Sequence, residues 1–293
     1  MRSRISNWLA LAAVVAFGAC ADVPALPPVP HYDQAQLETI RMRAVLVAGD
    51  AGLPVFDNAV DAVGEWLHAR AGVAPDRITR LSASPAVIER QGIGTTSWSD
   101  VVQAIENLNP GPGQGCFTFI TSHGSRGAGV ALSPGGVLSP DELDKALVRG
   151  CGNSPTVVII SACFSGGFAA PPMTRANRII ITAASADRPS FGCLAGATYT
   201  FFDSCLLDSL RHASWPPAGG GRPVLNERIS WRRPAGANSS FFLARTWNNL
   251  YEATVSCVEK QETAGDYVPS HPQGWFGPAV ANMALPEGRL GGS

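Results

Sequence analysis

Four stretches of this chain are apolar almost without interruption: RAVLVAG (43–49), CFTFITS (116–122), TVVIISA (156–162) and NRIIITAA (177–184). A strand with one face in water alternates apolar and polar residues, whereas a strand covered on both faces does not need to. These runs are too short for buried helices and rich in β-branched residues, so they read as buried strands. RITRLSA (77–83) adds a shorter one.

Helical patterns lie between them. FDNAVDAVGEWLHAR (56–70) places Val60, Val63 and Leu67 on one face. WSDVVQAIENL (98–108) follows Ser97, with Ser97 or Ser99 as its cap, and stops at NPGPGQG. LSPDELDKALV (138–148) has Ser139 as N-cap, Pro140 just inside the start and acids in the first turn. TYTFFDSCLLDSLRHA (198–213) and SSFFLARTWNNLYEATVSCVEKQE (239–262) are further helix candidates, the second with Phe241, Phe242, Trp247 and Tyr251 to pack on a sheet. Strands alternating with helices predict an α/β domain, a mostly parallel sheet with helices on both faces. GSRGAGVALSPGG (124–136) reads as a Gly/Pro-rich excursion and SHPQGWFGPAV (270–280) as an irregular tail. No internal repeat and no second complete domain are evident.

The first 20 residues do not belong to this domain. MRSR is a basic start, WLALAAVVAFGA is an apolar run too short to span a membrane comfortably, and small residues lead to Cys20. The pattern resembles a bacterial lipoprotein signal with Cys20 as the lipidated residue, although Phe17 stands where an aliphatic residue is usual. The alternative is an ordinary secretory signal cleaved near Ala19 or Ala21. Either implies export, to the bacterial periplasm or cell envelope, and the first adds a lipid anchor in the membrane. Residues 21–42, with ADVPALPPVP, suit a semi-rigid tether, and 43–285 the folded domain.

Export permits disulfides. Six cysteines remain after Cys20, and no CxxC pair occurs, so no metal site is expected. Cys116 and Cys151 each sit at or just before an apolar strand, where neighbouring parallel strands would make them a bridge; two buried free thiols are the alternative. A net charge of −1 gives no field to gather nucleic acid or acidic lipid.

In open parallel sheets, sites form where the strands end at their C-termini. One predicted strand ends on His123-Gly124 and a later one on Ala162-Cys163, followed by Gly166 and Gly167. An imidazole can take a thiol's proton, and the resulting thiolate attacks a carbonyl. Backbone N–H groups of Gly124 and Cys163 are the natural oxyanion donors. Ser165 is a poor rival nucleophile, since CFSGG is not a GxSxG elbow. His68 reads as a partly exposed helix residue, His31 lies in the tether, and His271 suits a loop role. Trp275 and Phe276 read as core or groove residues.

The two phrases TSHGS and SACFSG, about 40 residues apart with a helix between, resemble the legumain family of cysteine peptidases, within the caspase-like superfamily. VAGDAGLPVFDNAVDA, TAASADRPSFGC, TYTFFDSCLLDSL and SHPQ extend the resemblance, the last two toward a bacterial exported branch. It implies a caspase-like three-layer sandwich and a cysteine endopeptidase acting on protein or peptide substrates without metal or organic cofactor. His123 would be general base and acid, and Cys163 the nucleophile.

The departures are specific. The family's Asn-Tyr-Arg-His run is matched by Val55, Phe56, Asp57 and Asn58, so the auxiliary Asn is missing and the resemblance implies a dyad. Asp57 replaces a substrate-pocket Arg, Ser161 a pocket Glu, and Ser190 matches a pocket Ser. Cleavage after Asn therefore does not carry over; Asp57 and Asp187 would instead favour a basic residue. A transpeptidase of the same chemistry and a non-catalytic binding module are the rival readings. The sequence leaves the oligomeric state open.

Overall fold

The computed structural model describes residues 28–213 and 246–286. The signal segment with Cys20, the start of the tether, and Phe241 and Phe242 lie outside the described residues. In chain order the elements are α1 (Gln34–Glu38), β1 (Arg41–Ala48), α2 (Val55–Ala69), β2 (Ile78–Ser82), α3 (Pro85–Gln91), β3 (Gly94–Thr95) and α4 (Trp98–Glu106). Next come β4 (Gln114–Thr121), β5 (Gly124–Ser125), β6 (Gly129–Leu132), β7 (Gly136–Leu138), α5 (Pro140–Cys151), β8 (Thr156–Ser161) and β9 (Arg178–Thr182). α6 (Phe201–Ala213), α7 (Trp247–Ala264) and β10 (Gln273–Phe276) complete the described chain.

Seven strands form one sheet in the order β10-β9-β8-β4-β1-β2-β3, parallel throughout except for β10. The continuous apolar runs are explained by two cores, one on each face. Leu46, Phe117, Phe119, Ile159 and Ile181 meet α2, α6 and α7 on one side. Val45, Val47, Ile120, Val158 and Ile180 meet α4 and α5 on the other. Helix, sheet, helix is the three-layer α/β sandwich expected of a caspase-like fold.

The caps follow the sequence. Ser139 opens α5 with a full capping box: its hydroxyl accepts from the Glu142 N–H, and Glu142 Oε2 accepts from the Ser139 N–H at 2.9 Å. Such a cap is typically worth about 1 kcal/mol. Of the two candidate serines before α4, Ser97 is the one that caps it.

Three segments differ from expectation. The Gly/Pro-rich excursion is a three-stranded antiparallel sheet, β5-β6-β7. The tail contributes β10, which pairs antiparallel with β9. The end of the expected tether packs on the domain: Leu37 and Ile40 are buried, and the Tyr32 hydroxyl donates to Asn153 O at 2.9 Å. Short Gly-rich strands carry little periodicity, and α1 is held by contacts distant in sequence.

Cys116 and Cys151 are disulfide-bonded, but Cys151 ends helix α5 rather than preceding a strand; the bridge ties α5 to β4. A second disulfide, Cys205–Cys257, joins α6 to α7. Cys163 and Cys193 are the free cysteines among the described residues.

Candidate active site

β4 and β8 are adjacent and in register, Thr121 opposite Ser161, so their chains leave the sheet side by side. Two residues on, His123 and Cys163 arrive at the same edge. The backbones touch: a Cβ built on Gly124 would overlap the carbonyl oxygen of Cys163. Gly166 is equally confined, since its Cβ would strike Ser185 and Ala186 backbone, whereas Gly167 has room.

The Cys163 thiol is half-buried and bracketed by one peptide unit. Its Sγ accepts from the Ser190 N–H at 3.3 Å and donates to Ser190 O at 3.4 Å. Cys193, the other free thiol, is pushed up to about 11 by burial, with Cys163, Asp203 and Asp50 adding to the effect. It is held as the neutral thiol, the unreactive form.

His123 is half-exposed. Phe56, from α2, meets its ring edge-on at 5.3 Å between centroids, and Asp50 Oδ1 lies 3.9 Å from Nε2. Phe164, next after the thiol, adopts a left-handed backbone (φ 57°), a strained state for a bulky residue. It is held there: its N–H donates to Arg188 O at 2.8 Å, and the Arg126 guanidinium lies 4.9 Å above its ring. Arg126 also donates to Asp187 O at 2.6 Å, tying the small sheet to the loop after β9.

Below the strand ends lies Asp203, from α6, fully buried. Its Oδ2 accepts from the Thr121 hydroxyl at 2.8 Å, while Oδ1 has no hydrogen-bond partner among the described residues. Burial pushes this carboxyl up to about 6, against the opposing pull of the Ser161, Thr121 and Thr200 hydroxyls.

The sequence-predicted residues thus divide. His123, Gly124, Cys163 and Ser190 come together. Ser161 lies one layer down, 2 % exposed, with its hydroxyl 3.5 Å from that of Thr200. Asp57 turns toward β2 and accepts from the Ser82 hydroxyl at 2.7 Å; burial raises its pKa. Asp187 is exposed and accepts from Ser185 at 2.7 Å. Asp50 and Asp203 are not singled out by the sequence pattern. Asp50 is discoverable in principle, because it follows β1 at the same offset as His123 follows β4. Asp203 stands out only as the acid inside FFDSCLL. A cleft of about 450 Å³ beside α4 is lined by Arg43, Arg77, Gly94 and Asp100 and contains no thiol or imidazole, so it is not the chemical centre.

An α/β sandwich whose adjacent parallel strands bring an imidazole and a free thiol to one edge has the layout of a caspase-like cysteine hydrolase. Residues 92–215 match the model of the Peptidase C13 family. That stretch includes both strand ends, and the match supports the resemblance to the legumain family of cysteine peptidases. The match supports a cysteine-type peptidase activity in general, and proteins or peptides as the substrate class. The comparison with curated proteins gave no match.

Proposed function

We propose that the protein is an exported cysteine endopeptidase working through a Cys163–His123 dyad. The observation that carries this reading is the backbone contact between Gly124 and Cys163, which joins the two strand ends into one site. In the reaction the thiol turns from Ser190 O to the imidazole and gives it the proton. The sulfur forms a bond to the carbonyl carbon, and the oxyanion is met by the Gly124 and Cys163 N–H groups, donors typically worth roughly 3 kcal/mol each. The imidazolium then protonates the leaving amine as the C–N bond breaks. Water, deprotonated by His123, cleaves the thioester and returns the thiol.

Asp203 is the acid we assign to the substrate's cleavage-site side chain. Asp57 turns toward β2 and Asp187 is an exposed loop residue, whereas Asp203 accepts from Thr121 at the end of β4 and keeps one oxygen without a hydrogen-bond partner among the described residues. A buried carboxylate favours a basic residue there. Two supports favour export: the signal-like segment ending on Cys20, which would carry the lipid anchor, and the pair of disulfides.

The test is cleavage of a diverse peptide library by wild type, Cys163→Ala and His123→Ala, with an amine nucleophile added in parallel. Loss of activity in both variants, free-acid products and fastest cleavage after Lys or Arg are expected. Full activity in either variant refutes the dyad, and a predominant amide product makes the protein a transpeptidase. Cys20→Ser releases the protein from the membrane fraction if the anchor is real.

A further inference from the structure

Three neighbouring strands each deliver one chemically capable side chain two residues past a shared register row. Ala48, Thr121 and Ser161 form that row in β1, β4 and β8, and Asp50, His123 and Cys163 follow. β1 and β4 are also where the connections diverge: β1 leads to β2 on one side of the sheet, β4 onward to β8 on the other. Crevices at such switch points are where doubly wound sheets gather their reactive groups.

We propose that Asp50 is the positioning residue for His123, so that the site is an Asp–His–Cys line rather than a dyad. The inference rests on the Cys163–His123 reading and deepens it. The Asp50 carboxylate is built into place: its Oδ1 accepts from the Gly52 N–H at 2.7 Å and its Oδ2 from the Ser133 hydroxyl at 3.2 Å. The turn that carries it is tied on both sides, by the Gly49 N–H to Thr121 O at 2.9 Å and by the Ser133 N–H to Gly49 O at 2.8 Å. His123 therefore sits between two fixed objects, the Phe56 ring edge and the Asp50 carboxylate, whose Oδ1 is at ion-pair distance, 3.9 Å, from Nε2. Val55, which opens α2, is buried and apolar and cannot orient the ring.

The chemistry follows from which nitrogen faces the acid. A carboxylate beside Nε2 keeps the proton on that nitrogen and leaves Nδ1 as the base. When Nδ1 takes the thiol proton, the imidazolium stands beside a negative charge, and the thiolate–imidazolium pair is held ready. The distance shortens as the ring becomes charged, as catalytic contacts commonly do on going from the free to the reacting state.

The test compares Asp50→Asn and Asp50→Glu with wild type on a peptide selected from the library. The Asn side chain keeps an acceptor for Gly52 and a partner for Ser133, so the fold is expected to hold, and an unchanged melting temperature checks that. The expected result is a fall in kcat of roughly 10–100-fold in Asp50→Asn, the size usual for loss of a histidine's orienting partner. KM should move by less than about twofold, and Asp50→Glu should recover part of the loss. Alkylation of Cys163 by iodoacetamide, which needs no substrate, should slow in Asp50→Asn and in His123→Ala alike. A kcat and an alkylation rate in Asp50→Asn both within about twofold of wild type overturn the role of Asp50 alone. Full activity in Cys163→Ala would overturn the dyad and this role together.

Discussion

Gly124 and Cys163 lie so close that the space a Cβ on Gly124 would need is already filled by the Cys163 carbonyl oxygen. The glycine of the His-Gly pair is therefore required by packing: only a hydrogen fits between the two strand ends. Gly166 has the same constraint against Ser185 and Ala186, while Gly167 meets nothing nearer than Pro140 Cγ at 3.9 Å. Gly124→Ala and Gly166→Ala should each lower kcat by about a hundredfold, the cost of displacing a reacting group by about an ångström. Gly167→Ala should stay near wild type. Equal losses in all three variants would mean that the crowding is not what these glycines relieve.

Asp144 places a carboxylate between two guanidiniums. It accepts from Arg175 Nε at 2.8 Å and from Arg178 Nη1 at 2.6 Å, and Arg178 is 1 % exposed. Burial brings Arg178 down to about 10, with Asp144 acting against that fall. Burial also raises Asp144, but the two arginines outweigh it and hold the carboxyl below its ordinary range. Removing one partner of a buried pair strands the other's charge, at a cost of about 3–5 kcal/mol. Asp144→Ala should lower the urea midpoint accordingly. Arg175→Ala, whose partner keeps Arg178, should cost much less.

The two disulfides close loops of 35 and 52 residues. By loop-closure entropy each stabilises the fold by about 4 kcal/mol. The paired substitutions Cys116→Ser with Cys151→Ser, and Cys205→Ser with Cys257→Ser, should each lower unfolding free energy by that order in denaturant titrations. Substituting Cys193 should leave the midpoint nearly unmoved, since it is in no bridge.

What the sequence revealed was what local pattern encodes. The four unbroken apolar runs became β1, β4, β8 and β9 because both sheet faces are covered, and Ser139 capped α5 because hydroxyl and N–H are neighbours in the chain. His123 and Cys163 were readable because each ends such a run. Hidden features depended on distant partners. The small sheet β5–β7 is too short to show a period, β10 becomes a strand only against β9, and Cys205 meets Cys257 only once α6 packs on α7. Asp203 is one acid inside a helix candidate and nothing local marks it, yet its carboxylate is buried and accepts from Thr121 at the end of β4.

That position makes Asp203 the group through which pH acts on this fold. In the folded chain its carboxyl titrates near 6, well above the unfolded value of 3.8, because burial opposes the charge. The folded state therefore binds the proton more tightly than the unfolded chain. Stability from this group is fully present below the unfolded value and is lost as pH rises through the folded one. A rise of that size corresponds to roughly 3 kcal/mol of destabilisation at neutral pH. Asp203→Asn keeps an acceptor for Thr121 and carries no charge. It should raise the unfolding free energy at pH 7 by up to that amount and flatten its slope between the two values, measured by urea titration across the range. Because the same charge is the one assigned to a basic cleavage-site residue, the variant should gain stability while losing its preference for Lys and Arg over neutral side chains. A more stable variant with an unchanged preference would leave Asp203 as a buried cost without a part in selecting substrate. A pH slope identical to wild type would mean that the carboxylate is hydrated in solution.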